Sequence, residues 1–256
     1  MRLLFIGDVV GEGGCAFLLA RLSRFKREHG IDVCIANGEN SAKGNGVTEK
    51  SCDMLFTAGV DFITLGNHTF KQRGFEDYLD SAPDVIRPLN YPHGVPGRGV
   101  GFIDKGSYTV AVINLCGTVY SEPLSNPFEA VLGALDGIKG AKTVIVDMHA
   151  EATSEKRAMG FFLDGRVTAV LGTHTHVQTA DECLLPGGTA YITDVGMTGP
   201  VNSVLGIEPS LVIKKFRTNM PVRFENAGGA NAMCGCILDI DEKTGRARSV
   251  ERVRLV

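Results

Sequence analysis

The residues able to do chemistry stand at the ends of apolar runs. Asp8 closes the run Leu3-Leu4-Phe5-Ile6-Gly7, and Glu39-Asn40 follow Cys34-Ile35-Ala36-Asn37-Gly38. Asn67-His68 follow Phe62–Gly66, His149 follows Val144–Met148, and His174 and His176 follow Val170–Thr173. Four of the six histidines in the chain belong to this set. Together these types make the mixed nitrogen and oxygen donor set of a two-metal hydrolytic centre, in which two divalent cations about 3.5–4 Å apart share a bridging carboxylate. Glu39 has two oxygens with which to bridge, Asp8 supplies a second carboxylate, and Asn40 and Asn67 offer amide oxygens. Two carboxylates offset only half the charge of two dications, which favours an anionic substrate such as a phosphate ester. Water held between such ions is ionised near neutral pH, because a bound metal brings its pKa to about 7, and it would attack phosphorus in line. His68 has a different task. Beside Asn67 on extended backbone it cannot face the same ion, so it is placed to contact the phosphate and protonate the departing oxygen.

Each of these residues alone has a structural reading. Asp8 suits a turn in which it bonds local backbone, Glu39-Asn40 suits a cap, and His149 suits a satisfied core histidine. Five segments ending alike are harder to explain that way, because the carboxyl ends of strands in an open α/β sheet form the ligand crevice. His174 and His176 are the strongest pair, since alternate residues of an extended segment point the same way.

The elements that must position these residues follow from periodicity. Short apolar runs predict strands at Arg2–Ile6, Val33–Ala36, Val60–Leu65, Tyr108–Leu115, Thr143–Met148 and Val167–Leu171. Between them, Leu18, Leu22 and Phe25 recur at helical spacing before Gly30, and further helical patterns cover Thr48–Ala58, Phe128–Ile138 and Ser154–Leu163. This alternation predicts an α/β architecture with a largely parallel sheet. After about residue 180 the pattern changes to short β segments at Ala190–Thr193, Leu211–Phe216, Met233–Ile240 and Ser249–Val256, which read as a second, antiparallel sheet. With no linker and no repeat, the reading is one domain over residues 1–256.

Composition sets the outer bounds. The 256 residues carry 26 Lys plus Arg against 29 Asp plus Glu, which argues against a surface for long nucleic acid but not against one small phosphate-bearing substrate. A hydrophobic share of 44% excludes a disordered chain, and no apolar run approaches the roughly 18 residues of a membrane helix. The seven cysteines are scattered and odd in number, as free thiols in a reducing, cytoplasmic compartment are. Cys234-Gly235-Cys236 reads as strand interior, not as a metal site, because no second Cys or His pair lies near it.

Other features invite other readings. Gly11-x-Gly13-x-x-Ala16 imitates a dinucleotide fingerprint, yet Asp8 would face the pyrophosphate and Asp32 precedes the second strand where a ribose contact must follow it. The segment Arg87–Gly101, rich in Gly and Pro, reads as a lid or substrate loop with Tyr91 able to stack on a base. Arg246, Arg248, Arg252 and Arg254 fall on one face of the last strand and suit a solvated edge. A metal-bound regulatory protein, or a phosphomonoester or phosphoprotein phosphatase, would use the same ligands.

The string Gly7-Asp8, Asn37-Gly38-Glu39-Asn40, Gly66-Asn67-His68, an isolated His149 and Thr173-His174-Thr175-His176 resembles the calcineurin-like metallophosphoesterases in family order. Asn37–Ala42, Asp147–Lys156 and Thr173–Asp181 resemble one branch, the YmdB-type group associated with 2′,3′-cyclic-nucleotide 2′-phosphodiesterase activity. The resemblance implies a two-sheet β-sandwich flanked by helices, a four-layer αββα arrangement. It implies one metal on Asp8, Glu39, Asn40 and His176, and a second on the bridging Glu39 with Asn67, His149 and His174. It further implies His68 as proton donor, iron or manganese before zinc or magnesium, a cyclic-nucleotide substrate, and a homodimer or homotetramer. Val10 stands where the broad superfamily has a histidine, and Glu39 where it has an aspartate; both match the branch, and the first implies a weaker hold on one metal.

Overall fold

The computed structural model describes residues 1–256. In chain order the first half has β1 (Arg2–Ile6), β2 (Asp8–Val9), α1 (Gly11–His29), β3 (Val33–Asn37), α2 (Glu49–Ala58), β4 (Phe62–Thr64), α3 (Phe75–Ser81), β5 (Val85–Ile86), β6 (Val100–Asp104) and β7 (Thr109–Cys116). The second has α4 (Pro127–Gly137), β8 (Thr143–His149), α5 (Thr153–Phe162), β9 (Ala169–Thr173), β10 (Cys183–Leu184), β11 (Ala190–Ile192), β12 (Met197–Pro200), α6 (Pro209–Thr218), β13 (Asn231–Ile240) and β14 (Ala247–Leu255).

Two sheets result. The first runs β2-β12-β13-β1-β3-β4-β5, with β14 also on β13, and the second runs β10-β11-β9-β8-β7-β6. Strands β1, β3, β4 and β5 are mutually parallel, as are β7, β8, β9 and β11. Their near-continuous apolar sequences follow from burial on both faces. Alternation along β1 shows the layering: Leu4 and Ile6 join Leu18, Leu22 and Leu55 under α1 and α2, while Leu3 and Phe5 meet Val110, Ile145 and Leu171 of the other sheet. A third apolar layer sets Val131 and Met159 of α4 and α5 against Ile113, Val146 and Val170. Three apolar layers between four of secondary structure make the αββα sandwich.

Local signals place the ends of these elements. Gly30 closes α1 in the left-handed conformation, and Thr48 opens α2 with a capping box in which Ser51 answers. Because the parallel strands of each sheet run one way, the residues that follow them emerge along one edge of the sandwich. In the second sheet His149 is in register with Thr173, which carries His174 directly past the strand end.

Several expectations need correction. Leu211–Phe216 is not a strand but most of α6, started by Pro209 at the first turn and stopped by Asn219 in the left-handed conformation. The segments after residue 180 do not form a sheet of their own. The β13–β14 hairpin completes the first sheet against β1, and β11 is parallel, not antiparallel, to β9 in the second. Arg87–Gly101 is no free lid: Arg87 donates to the carbonyls of Pro88, Val95 and Pro96, and Val100 already begins β6. Arg246 precedes β14, while Arg248 and Arg252 on that strand pair with Asp241 and Glu182. All seven cysteines are free, with Cys234 and Cys236 inside β13, and no helix is long and apolar enough to cross a membrane.

Candidate metal centre

The two sheets deliver Asp8, Glu39, Asn40, Asn67, His68, His149, His174 and His176 to one place. Asp8 and Glu39 are fully buried, and Asn40 and His149 nearly so. His149 Nε2 is the centre of the tightest group, with Asn67 Oδ1 at 3.0 Å, His174 Nδ1 at 3.1 Å and Glu39 Oε2 at 3.3 Å. On the other side of Glu39, His176 Nε2 stands 3.6 Å from Asp8 Oδ1 and 3.3 Å from Asn40 Nδ2. Asn40 turns its amide nitrogen toward Glu39 Oε1 at 2.9 Å and its oxygen toward His68 Nδ1 at 2.9 Å. In this orientation Asn40 orients His68 and presents no oxygen to His176.

The backbone around these side chains is specialised. A Cβ at Gly66 would land on Glu39 Oε2 and His149 Nε2, so the Gly-Asn-His turn requires glycine for the chain to pass the cluster. His174 and His176 both have positive φ, at 99° and 63°. Such backbone is strained for a side-chain-bearing residue and persists only where its surroundings hold it. Here Thr175, between the two histidines, donates its N–H and hydroxyl to Asp194 Oδ2 at 3.0 and 2.8 Å. Asp194 in turn accepts from the buried Lys156 Nζ at 2.7 Å. The His174 N–H donates to Asp8 Oδ2 at 3.0 Å, tying the loop to the first sheet.

Further residues escaped sequence reasoning. Asp147, two residues before His149 and so on the same face of β8, accepts from Thr173 Oγ1 at 2.7 Å, and that oxygen lies 2.8 Å from His149 Nδ1. The spacing of Asp147 and His149 was the available signal. This partner on Nδ1 leaves His149 Nε2 to face the cluster, the usual support of a ligating imidazole. Glu151 Oε2 at 3.2 Å from His174 Nε2, Asn45 Nδ2 at 3.4 Å from His68 Nε2 and the Leu205 carbonyl at 3.0 Å from His176 Nδ1 had no such signal.

The electrostatics call for positive charge. Burial pushes the Asp8 carboxyl up, but His176 and His149 outweigh it and leave it below its ordinary value. Glu39 is held well below the carboxylate range, because His149 and His68 overcome the same burial effect. Burial works against protonation of His149, yet Glu39 and Asp8 push it up to about 9. His174, half-buried and beside His149, is held down to about 4 by lost solvation and the neighbouring imidazole. Asp8 Oδ1 is buried with no hydrogen-bond partner. An orphaned carboxylate oxygen beside a second buried carboxylate and imidazole nitrogens fits a cation, and the ligand atoms of Glu39, His149 and His174 lie within 4.8 Å of one another. The donor set thus fits divalent metal. It opens into a cavity of about 360 Å³ lined by His68, His174 and His176, to which no residue of the 87–101 segment, Tyr91 included, contributes. Tyr91 instead packs edge-on against Phe70 at 5.6 Å.

The chain is similar to known proteins along nearly its whole length. A family model described as YmdB-like protein matches residues 4–253. A Bacillus subtilis (strain 168) protein named 2′,3′-cyclic-nucleotide 2′-phosphodiesterase is 46% identical over 254 residues, covering 99% of this chain and 96% of that protein. A crystal structure of a hypothetical protein from Thermus thermophilus superposes with a TM-score of 0.94 at 40% identity, covering 99% of this chain and 98% of that one. A structure described as a novel phosphatase from Mycoplasma pneumoniae also reaches a TM-score of 0.94, at 35% identity and with 100% and 93% of the two chains covered.

Proposed function

The chain belongs to the YmdB-like family, and from that membership and its buried donor cluster we propose a metal-dependent phosphodiesterase that opens 2′,3′-cyclic nucleotides to 3′-nucleotides. The observation that carries this reading is the convergence of Asn67 Oδ1, His174 Nδ1 and Glu39 Oε2 on His149 Nε2, beside the unpartnered Asp8 Oδ1. In it, Glu39, Asn67, His149 and His174 would hold one ion, and Asp8, Asn40, His176 and again Glu39 the other, with the Asn40 amide turned to present its oxygen. Two such ions, iron or manganese, would supply Lewis acidity toward the phosphoryl oxygens and an ionised water at neutral pH.

The protein's own part centres on His68. Its Nδ1 lies 3.1 Å from Glu39 Oε1, an acceptor that stays in place when the Asn40 amide turns toward an ion, so that nitrogen carries a hydrogen and fixes the ring. The Nε2 edge is then the one available to substrate, next to Asn45. As the bond from phosphorus to the ribose 2′ oxygen breaks, protonated His68 would give its Nε2 proton to that oxygen, and the incoming water's proton would restore it. General acid assistance of this kind contributes about 10²–10⁴-fold.

The test pairs elemental analysis of bound metal with hydrolysis of 2′,3′-cyclic AMP by wild type and His68→Ala. Metal retained in both and turnover to 3′-AMP lost in the variant is the expected result. Absence of metal after reconstitution with iron or manganese would sink the reading. The Mycoplasma pneumoniae structure, described as a phosphatase, favours a phosphomonoester reading as the alternative, and 3′-AMP as a substrate separates the two.

A further inference from the structure

The cavity above the donor cluster has a second character. Beside its polar groups it is lined by Val10, Leu205, Ile207 and Phe224. Leu205 and Phe224 are left 48% and 45% exposed beside the polar donor cluster. Nothing in the cluster's chemistry needs them there.

Their placement is nonetheless fixed. Val204 and Ile207 bridge each other across a tight turn whose central residues, Leu205 and Gly206, both have positive φ. That conformation favours Asn or Gly, and a leucine in it is strained. Ile207 also bridges Asn226, Glu208 N donates to Glu225 O at 3.0 Å, and Ala227 N donates to Gly206 O at 2.9 Å, so the turn and the segment that follows Phe224 are hydrogen-bonded together. The carbonyl of the strained Leu205 is the partner of His176 Nδ1 at 3.0 Å. The apolar shelf is therefore tied directly to the donor cluster. Phe224 also faces an adjoining cavity of about 790 Å³ that shares Val10 and Asn226, which leaves room for a bicyclic group.

We propose that Phe224, backed by Leu205 and Ile207, is the platform on which the substrate's nucleobase stacks, so that the site selects nucleoside cyclic phosphates over base-free phosphodiesters. The proposal rests on the phosphodiesterase reading above. An aromatic face stacks on any base, and Asn226 brings an amide, donor and acceptor together, to the same cavity for the base edge.

The test compares kcat/KM for 2′,3′-cyclic AMP with kcat/KM for glycerol 1,2-cyclic phosphate, which has the same five-membered ring and no base. The manganese-loaded protein and its Phe224→Ala and Phe224→Tyr variants are used. The ratio falls about 5- to 150-fold in Phe224→Ala, the range of base–aromatic stacking, and is kept in Phe224→Tyr. An equal ratio in wild type and Phe224→Ala overturns the platform. If wild type cleaves neither ester, the activity reading fails by itself, and calorimetric binding of 3′-AMP decides the platform. Weaker binding by Phe224→Ala over the same range then sustains it, and equal binding overturns it.

Discussion

Replacing Lys156 with methionine tests how the histidine loop is held. Lys156 on α5 and Asp194 between β11 and β12 are both fully buried, and their 2.7 Å ion pair is the ammonium's one salt bridge. Burial pushes the Asp194 carboxyl above its ordinary value even with Lys156 beside it, which shows how far the carboxylate depends on that partner. Methionine keeps the length of the side chain and removes the charge, leaving Asp194 buried and uncompensated. Breaking a buried pair in this way costs about 3–5 kcal/mol. For a chain of this size each kcal/mol moves the melting midpoint by about 2–4 °C, so Lys156→Met melts about 6–20 °C lower. Far-UV circular dichroism of metal-free protein is the assay, since the chain has no tryptophan and bound ligand would add its own stabilisation. The double variant Lys156→Met/Asp194→Asn has no stranded charge and keeps an acceptor for Thr175, so it recovers more than half of the loss. A single variant within about 1 kcal/mol of wild type, or a double variant no better than the single, would refute the pairing as the support of this loop.

Two further perturbations follow from the same reasoning. Gly66→Ala pushes a methyl group against Glu39 and His149, and displacing a reacting group by an ångström costs about 100-fold; kcat/KM falls by that order and elemental analysis finds less metal per chain. Asp61 is pushed up by burial, but Lys105, the Cys34 N–H and Lys26 hold its carboxyl below the ordinary value, so its stabilisation is present above about pH 4 and lost as pH falls through the folded-state pKa. The melting difference between wild type and Asp61→Asn, measured from pH 7 to pH 2.5, therefore shrinks below about pH 4; a difference that stays constant would remove the ionised carboxylate from the account.

The positions of the candidate ligands were legible because each stands at a strand end, where an apolar run stops and a metal-binding type begins. Strand ends of parallel sheets share an edge, so one-dimensional pattern became three-dimensional convergence without any knowledge of contacts. Segments whose pattern is mixed are less legible. Leu211–Phe216 carries as many apolar residues as a strand, and only Pro209 and Asn219 at its flanks mark it as helix. The separate antiparallel sheet expected after residue 180 fails for a topological reason: β13 returns from the far end of the chain to pair with β1, Leu3 opposite Leu238 and Phe5 opposite Cys236, and nothing local announces that partner.

What holds the ligands was mostly hidden. Thr175 looks like a spacer between two histidines, and Lys156 like one more helix surface charge. Their connection runs through Asp194, which is 38 residues from Lys156 and lies two residues before Gly196, whose carbonyl accepts from the Asp8 N–H at 3.1 Å. Asp194 therefore joins the loop of His174 and His176 to the strand that carries Asp8, across the two sheets. That junction, with the bonds of His174 N–H to Asp8 and of His176 to the Leu205 carbonyl, holds the two left-handed histidines in their strained backbone. A substitution at Lys156 should accordingly weaken the loop before it touches any donor atom, which is why the buried ion pair, and not the ligands, is the more revealing place to perturb the site.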